Sequence, residues 1–196
     1  IAMLHADTAQ KYFVRPDGSV NHIIEFNPET GEFVRAYGGQ GYTEGSSWTR
    51  GQGWGVYGFM ISYIHTGKQE YFDTAKRIAH YIMANIPDSG IIPVDFRQPK
   101  EPAWEDSCAA CVIANGLIEI AKHVPELEKD MYIRAAVKIL KAIDKTRANW
   151  GTDCDSIVLN CTGAYHSPDH HFTMVYADFY FIEAVLKLRG NDYFMW

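Results

Sequence analysis

The stretch Glu44-Gly45-Ser46-Ser47-Trp48-Thr49-Arg50-Gly51-Gln52-Gly53-Trp54-Gly55-Val56-Tyr57-Gly58 decides how the rest of the chain is read. Ser46-Ser47 offers a helix N-cap, and the apolar run from Val56 to Ile64 continues as a buried helix. Gly51, Gly53, Gly55 and Gly58 each cost roughly 1 kcal/mol against Ala inside a helix. A helix that carries this cost brings its backbone close to something, either another helix or a ligand. At helical spacing Arg50 pairs with Trp54, and Trp48 with Gln52, each at i, i+4. The stretch can therefore set aromatic faces beside a forked cation, a combination suited to a sugar ring that bears a carboxylate. A close helix–helix contact with interfacial tryptophans explains the same residues, and composition does not separate the two.

At 196 residues, 47% hydrophobic and 14% aromatic, the chain is long and apolar enough to bury a core and is not a disordered segment. A formal net charge of −6 argues against nucleic acid or an anionic membrane surface as main partner. An acidic protein that binds an acidic sugar must supply positive charge locally, which draws attention to Arg50. No apolar run approaches the ~18 residues of a membrane span. The chain opens on Ile1-Ala2-Met3-Leu4-His5, so its start carries no message about targeting. Cys108-x-x-Cys111 lies in the apolar run Ala109 to Ile120, where cysteines act as small buried residues, and Cys154 and Cys161 fit no common zinc spacing. No metal or cofactor is expected, and reduced thiols point to a cytoplasmic protein.

Residues 1–10 read as the last turns of a helix. Residues 12–37 change period around Pro16-Asp17-Gly18 and Asn27-Pro28-Glu29-Thr30-Gly31, which predicts two small hairpins or an irregular ribbon. Helices follow over about Trp48–His65, Tyr71–Asn85, Asp106-Ser107 to His123, Leu127–Lys145 and His171–Leu188. The inward faces are predicted to be Tyr71, Ala75, Ile78 and Ile82, then Ile133, Ala136, Val137, Leu140 and Ile143, and last Val175, Phe179, Ile182 and Leu186. Tyr71–Ile82 resembles Tyr132–Ile143, and Gly67-Lys68-Gln69-Glu70-Tyr71 recurs as Gly190-Asn191-Asp192-Tyr193. A period of about 60 residues is one helical hairpin with its loop, and such units stack because none buries its face alone. The reading is an all-α chain of helical hairpins arranged in a ring or solenoid.

These residues also carry a resemblance. Ser47-Trp48-Thr49-Arg50-Gly51-Gln52-Gly53-Trp54-Gly55, with Tyr57-Gly58 after it, resembles the signature of the unsaturated glucuronyl hydrolases, family 88 of the glycoside hydrolases. So do His5-Ala6-Asp7-Thr8, Val14-Arg15-Pro16-Asp17-Gly18-Ser19, Gly39-Gln40-Gly41-Tyr42, Asp106-Ser107, His166-Ser167 and Ala177-Asp178-Phe179-Tyr180-Phe181-Ile182-Glu183-Ala184. The resemblance covers essentially the whole chain. It implies an (α/α)6 barrel of which residues 1–196 form one partial domain, the C-terminal half, with a small β-hairpin insertion near its start. The missing half of the barrel, or a second copy, is then expected to cover the exposed seams.

The reaction implied is attack on the Δ4,5-unsaturated uronic acid that polysaccharide lyases leave at non-reducing ends. An Asp protonates the C4=C5 vinyl ether, water adds at C5, and the hemiketal rearranges to release the aglycone and a keto-uronate. The resemblance places that Asp in the other half, so no catalytic residue is assigned here. Asp95, Asp106, Asp153, Asp155, Asp169 and Asp178 are not promoted; Asp106 reads as a helix cap and Asp178 as a packing carboxylate. His22, Gln40, Arg50, Gln52 and Trp54 match the family's sugar subsite, with Trp48 beside them and His166 as a further candidate. The implied roles are Arg50 near the sugar's carboxylate or the catalytic Asp, His22 and Gln40 on ring hydroxyls or water, and Trp54 on the ring. On its own residues, without the family pattern, His22 reads rather as a strand-surface histidine. The sister family of unsaturated rhamnogalacturonyl hydrolases has an Arg-Gly-Asn-Gly-Trp pattern, and Gln52 favours the glucuronyl family. A non-catalytic helical-hairpin module that binds carbohydrate is the remaining alternative.

Overall fold

The computed structural model describes residues 1–191. In chain order the elements are α1 (Ala2–Tyr12), β1 (Ile23–Phe26), β2 (Phe33–Tyr37), α2 (Thr49–Thr66), α3 (Gln69–Asn85), α4 (Ser107–His123), α5 (Glu126–Thr146) and α6 (Val175–Leu188). Every residue from Ser107 to Ala121 is buried, so α4 is the element around which the others pack. It lies between α2 and α6, with α5 against its outer side, while α3 packs chiefly on α2. Thus α2, α4 and α6 form an inner row, and α3 and α5 lie outside it, the arrangement of helical hairpins set side by side.

The α2–α4 contact rests on two glycines. A Cβ at Gly116 would sit 2.7 Å from Val56 Cγ1 and 3.1 Å from the Tyr57 nitrogen; one at Gly53 would sit 3.2 Å from Val112. Only hydrogens fit between these backbones. Asp106 caps α4 by accepting from the Cys108 N–H, as the Asp-Ser pair predicts, and Gly67 closes α2 in the left-handed region at φ 68°. The turn regions also follow expectation. Val14 pairs with Val20 across Pro16-Asp17-Gly18, and β1 pairs antiparallel with β2 from Ile23↔Tyr37 to Phe26↔Phe33, with a bulge at Glu25/Phe26.

Three expectations need correction. The Ser46-Ser47 cap does not form: Trp48 is the N-cap of α2 without a side-chain cap bond, because Ser46 Oγ is engaged by Asp95. The last helix starts at Val175 and not at His171, since His171 has a positive φ of 58° and Phe172 pairs with Cys161 through two backbone bonds. Its inward face is Ala177, Tyr180, Phe181 and Ala184, while Val175, Ile182 and Leu186 are exposed and Phe179 is half-buried. Glu183 and Lys187, which hydropathy would place outside, are buried on the same face, where Tyr57 and Glu119 partner them, so the apolar pattern points the wrong way. The exposed stripe helps border an apolar groove of about 490 Å³ with Val137, Leu140, Trp150 and Ile157. In α5, Ala136, Leu140 and Ile143 are buried as expected, joined by Tyr132 and Ile139, with Ile133 and Val137 half-buried. The expected α3 face of Tyr71, Ala75, Ile78 and Ile82 is wholly buried. The Gly190–Tyr193 repeat runs past Asn191 and so lies partly outside the described residues.

All four cysteines are free thiols; Cys108, Cys111 and Cys161 are buried and Cys154 is exposed. Burial pushes the Cys161 thiol up to about 12 and raises Cys108 and Cys111 as well. Among the described residues, no helix is long and apolar enough to cross a membrane.

Two measurements check this packing. Gly116→Ala is expected to lose about 1–3 kcal/mol in urea unfolding, because the added methyl meets the branched Val56 side chain at 2.7 Å with the Tyr57 backbone nitrogen at 3.1 Å behind it. Gly58→Ala, which meets nothing within 4 Å, should instead gain up to about 1 kcal/mol. With a thiol reagent, Cys154 alone should react quickly in the native protein, and all four after denaturation.

Candidate active site

The loop before α2 is wrapped around one carboxylate. Asp95 is fully buried and accepts from Ser46 Oγ at 2.6 Å and from the N–H groups of Tyr42, Ser47 and Arg97. A Cβ on Gly41 would lie 2.7 Å from Asp95 Oδ2, so this loop closes only with glycine there. The Thr49 N–H bonds the Val94 carbonyl and the Phe96 N–H the Ser47 carbonyl, which ties the start of α2 to the 93–97 segment. These bonds fix where Trp48 emerges.

Between α1 and α2 runs a groove of about 520 Å³. The α2 backbone at Gly51, Gly55 and Gly58 borders it; a Cβ would meet the Trp48 ring at Gly51 and Val20 and Ile78 at Gly55, but nothing within 4 Å at Gly58. Its walls include His22, Gln40, Trp48 and Trp54, brought together from the first hairpin, the glycine loop and α2, with Ala6, Ala9 and Phe13 opposite. Trp54 is 38% exposed and meets Tyr180 edge-on at 5.4 Å. His22 lies against Trp48, ring centres 4.6 Å apart, and its Nδ1 accepts from the Gln40 N–H at 3.1 Å. Burial lowers the His22 pKa, with an interaction from Gln40 pulling the other way, so the ring is neutral at pH 7. The Gln40 side-chain amide donates to the Gly163 carbonyl at 2.6 Å, and the side chain also interacts with the His22 ring.

Arg50 and Gln52 sit behind this wall and do not border the groove. Gln52 is fully buried; its Oε1 accepts from the Val20 N–H and its Nε2 donates to the Val20 carbonyl, holding the ribbon to α2. Arg50 is 3% exposed. Its Nε and Nη2 donate to Asp106 Oδ2 at 2.9 and 2.7 Å, Nη2 also to the Thr162 carbonyl, and Nη1 to the Tyr176 hydroxyl at 3.0 Å. Burial pushes the Asp106 carboxyl up while the guanidinium pulls it back. Arg50 thus ties α2, the cap of α4, the 160s loop and the start of α6. His166 is exposed and does not line the groove, its Nε2 bonded to the Tyr42 carbonyl at 2.7 Å.

Sequence reasoning missed Tyr176, which extends the aromatic surface beside Trp54 at 6.4 Å and bonds Arg50. Its only signal is its position one residue before the Ala177-Asp178 motif. Among the described residues no Asp or Glu borders the groove. Asp178 accepts from the N–H groups of Ile157 and Val158, and Asp153, Asp155 and Asp169 are exposed elsewhere. Nor do His, Cys, Asp and Glu side chains gather anywhere in the described residues as a metal site. The arrangement can stack an apolar ring face on tryptophan and offer hydrogen bonds at its edge; it carries no acid of its own.

No family model matches the chain. It is 36% identical over 197 residues to the unsaturated glucuronyl hydrolase of Bacillus sp. strain GL1, covering 96% of this chain and 52% of that protein. The crystal structure of the Bacillus protein superposes with a TM-score of 0.89 at 34% identity. The unsaturated chondroitin disaccharide hydrolase of Streptococcus pneumoniae is 29% identical over 202 residues, covering all of this chain and 51% of the relative. A variant of the Streptococcus agalactiae unsaturated glucuronyl hydrolase, solved with dGlcA-GalNAc6S, has a TM-score of 0.82 at 26% identity and covers 94% of this chain and 50% of its own. The chain spans about half the length of the curated relatives it matches.

The buried pair gives a stability test. Asp106→Asn is expected to cost about 3–5 kcal/mol, because it strands a buried guanidinium. Joined with Arg50→Met, the two changes should cost at least about 1 kcal/mol less than the sum of the singles in a denaturation cycle. Additive losses would mean that the pair is not coupled.

Proposed function

We propose, from the premise that this chain belongs to the unsaturated glucuronyl hydrolases, glycoside hydrolase family 88, that it forms the substrate-gripping part of such a hydrolase. The protein would act on the Δ4,5-unsaturated uronic acid at the non-reducing end of lyase-generated oligosaccharides. The observation that carries this reading is the groove itself: His22, Gln40, Trp48 and Trp54 converge on one surface from three separate segments. Trp54 would support the ring face. The neutral His22 ring and Gln40 would hydrogen-bond ring hydroxyls. Arg50 and Gln52 would serve from behind, holding Trp48 and the His22 ribbon in register, and His166 would hold the Tyr42 end of the glycine loop.

Hydration of the vinyl ether needs an acid that delivers a proton to C4 and a water that adds at C5. With no carboxylate on the groove among the described residues, the acid would come from the remaining half of the (α/α)6 barrel, and residues 1–196 alone would be inactive. The same half would cover the exposed stripe Val175, Ile182 and Leu186 and the open side of the groove. Leaving ~1,000 Å² of apolar seam wet forfeits roughly 25 kcal/mol at ~25 cal/mol per Å², more than the ~5–15 kcal/mol by which a domain is usually stable. A second copy is the other way to cover it. The buried free thiols favour a cytoplasmic location.

The test uses the complete gene product with unsaturated chondroitin and rhamnogalacturonan disaccharides, followed by loss of the C4=C5 absorbance. Turnover of the chondroitin disaccharide is expected to prevail, and Trp54→Ala should raise KM about tenfold, ~1.4 kcal/mol. Preference for the rhamnogalacturonan product would assign the sister activity, and binding without turnover would leave a carbohydrate-binding module. Residues 1–196 by themselves should sediment as an associated species without hydrolysis; an active, cooperatively unfolding monomer would refute the shared-barrel reading.

A further inference from the structure

The way His22 is seated has a cause that lies outside the side chains assigned to the groove. Its ring lies directly over the backbone of the glycine loop. A Cβ built on Gly39 would sit 2.5 Å from His22 Nδ1, 2.6 Å from Cε1 and 2.9 Å from Ile23 Cδ1. Carbon atoms do not approach that closely, so any side chain at position 39 must drive the ring away. Gly39 does not have a positive φ, so backbone conformation does not demand glycine here; the space taken by the ring does.

The consequence is a choice of tautomer. The Gln40 N–H points at Nδ1 at 3.1 Å, and a backbone N–H can only donate. Nδ1 must therefore carry a lone pair, and in the neutral ring the proton is on Nε2. Trp48 packs on the ring at 4.6 Å and prevents it from swinging off the loop. The Gln40 side chain cannot rotate to replace the backbone bond, because it is tied to the Gly163 carbonyl.

We propose that Gly39 is a positioning residue of this groove: it admits the His22 ring against the loop, the Gln40 N–H holds the ring as the Nε2–H tautomer, and His22 meets the sugar as a hydrogen-bond donor and not as a base. This rests on the groove being the sugar site, and it deepens that reading by assigning the hydrogen bond's direction. A sugar oxygen opposite Nε2 must accept, and the proton that hydration removes from water must go to a group other than His22.

Protonation of His22 would convert Nδ1 into a donor facing another donor and break the seat. The bond is thus present above the ring's pKa and lost as pH falls through it. Burial keeps that pKa below the ordinary ~6.5. The other titratable groups around the ring are His5 across the groove on α1, and Arg15, Tyr37 and Glu44 lining the chamber behind it.

The test is ¹⁵N NMR of the histidine-labelled complete gene product, with disaccharide kinetics on the same samples. The wild type should show His22 at pH 7 as the neutral Nε2–H tautomer, protonating below the ordinary histidine range. Gly39→Ala should mix the tautomers, move that protonation upward, and raise KM at least fivefold with a smaller change in kcat. His22→Gln, which keeps a neutral amide donor, should retain more activity than His22→Ala and lose the acid limb of the KM profile. An Nδ1–H tautomer or an ordinary pKa in the wild type overturns the proposal even if Gly39→Ala does not fold, as does a Gly39→Ala spectrum identical to wild type. If the tautomer and its response to Gly39→Ala stand but no unsaturated disaccharide is turned over, the positioning role holds and the hydrolase reading fails.

Discussion

The buried ion pair between Arg50 and Asp106 is the interaction on which the rest of the arrangement hangs. Arg50 occupies the first turn of α2, where the helix dipole disfavours a cation by about 0.3–1 kcal/mol, and it is almost wholly removed from water. Such a placement persists only with a partner of opposite charge. Asp106 supplies it from the N-cap of α4, where the dipole favours an anion and where its other oxygen accepts from the N–H groups of Cys108 and Thr162. The pair therefore joins two helix starts that the chain keeps far apart, and the Thr162 carbonyl and Tyr176 hydroxyl draw the 160s loop and α6 to the same point. Buried pairs of this kind are poor sources of net stability, because desolvation offsets most of the attraction. Their effect is on register: among the described residues Asp106 is the carboxylate that pairs with the buried guanidinium.

With the helix starts fixed, α2 works with two faces at once. Gly53, against Val112, and the Val56–Tyr57 backbone against Gly116 bring α2 onto α4. Gly51, Gly55 and Gly58 border the groove, together with Trp54. The glycine-rich stretch admits a helix-contact reading and a ligand reading, and α2 carries both, separated by rotation about its axis.

The polar wiring behind the groove shows the same economy. Gln52 uses its acceptor and a donor on the two backbone groups of Val20, and Asp95 gathers three donors from the loop before α2 and a fourth from the Arg97 N–H. None of these groups faces the groove, yet each sets the position of one that does: Gln52 the ribbon that carries His22, Asp95 the loop that delivers Trp48. At the far side, α6 turns an apolar stripe outward, and the chain spans about half the length of its relatives.

Local chemistry made much of this legible from the amino-acid sequence alone. The helix bodies of α2 to α5, the Asp106 cap, the hairpin turns and the α3 face rest on interactions within a few residues of one another, so spacing and residue type suffice to place them. The tertiary structure alone decided the rest. Ser46 is withdrawn from capping by Asp95, which lies 49 positions away, and the start of α6 is postponed by pairing between Phe172 and Cys161. Arg50, which reads as a ligand-facing cation, is turned inward by Asp106, 56 positions away, and Thr162, 112 positions away. The face of α6 is set by its neighbours, since Tyr57 and Glu119 draw the charged Glu183 and Lys187 inward. A residue's type states what it can bond, but which partner arrives is settled by chain folding over distances that periodicity does not span.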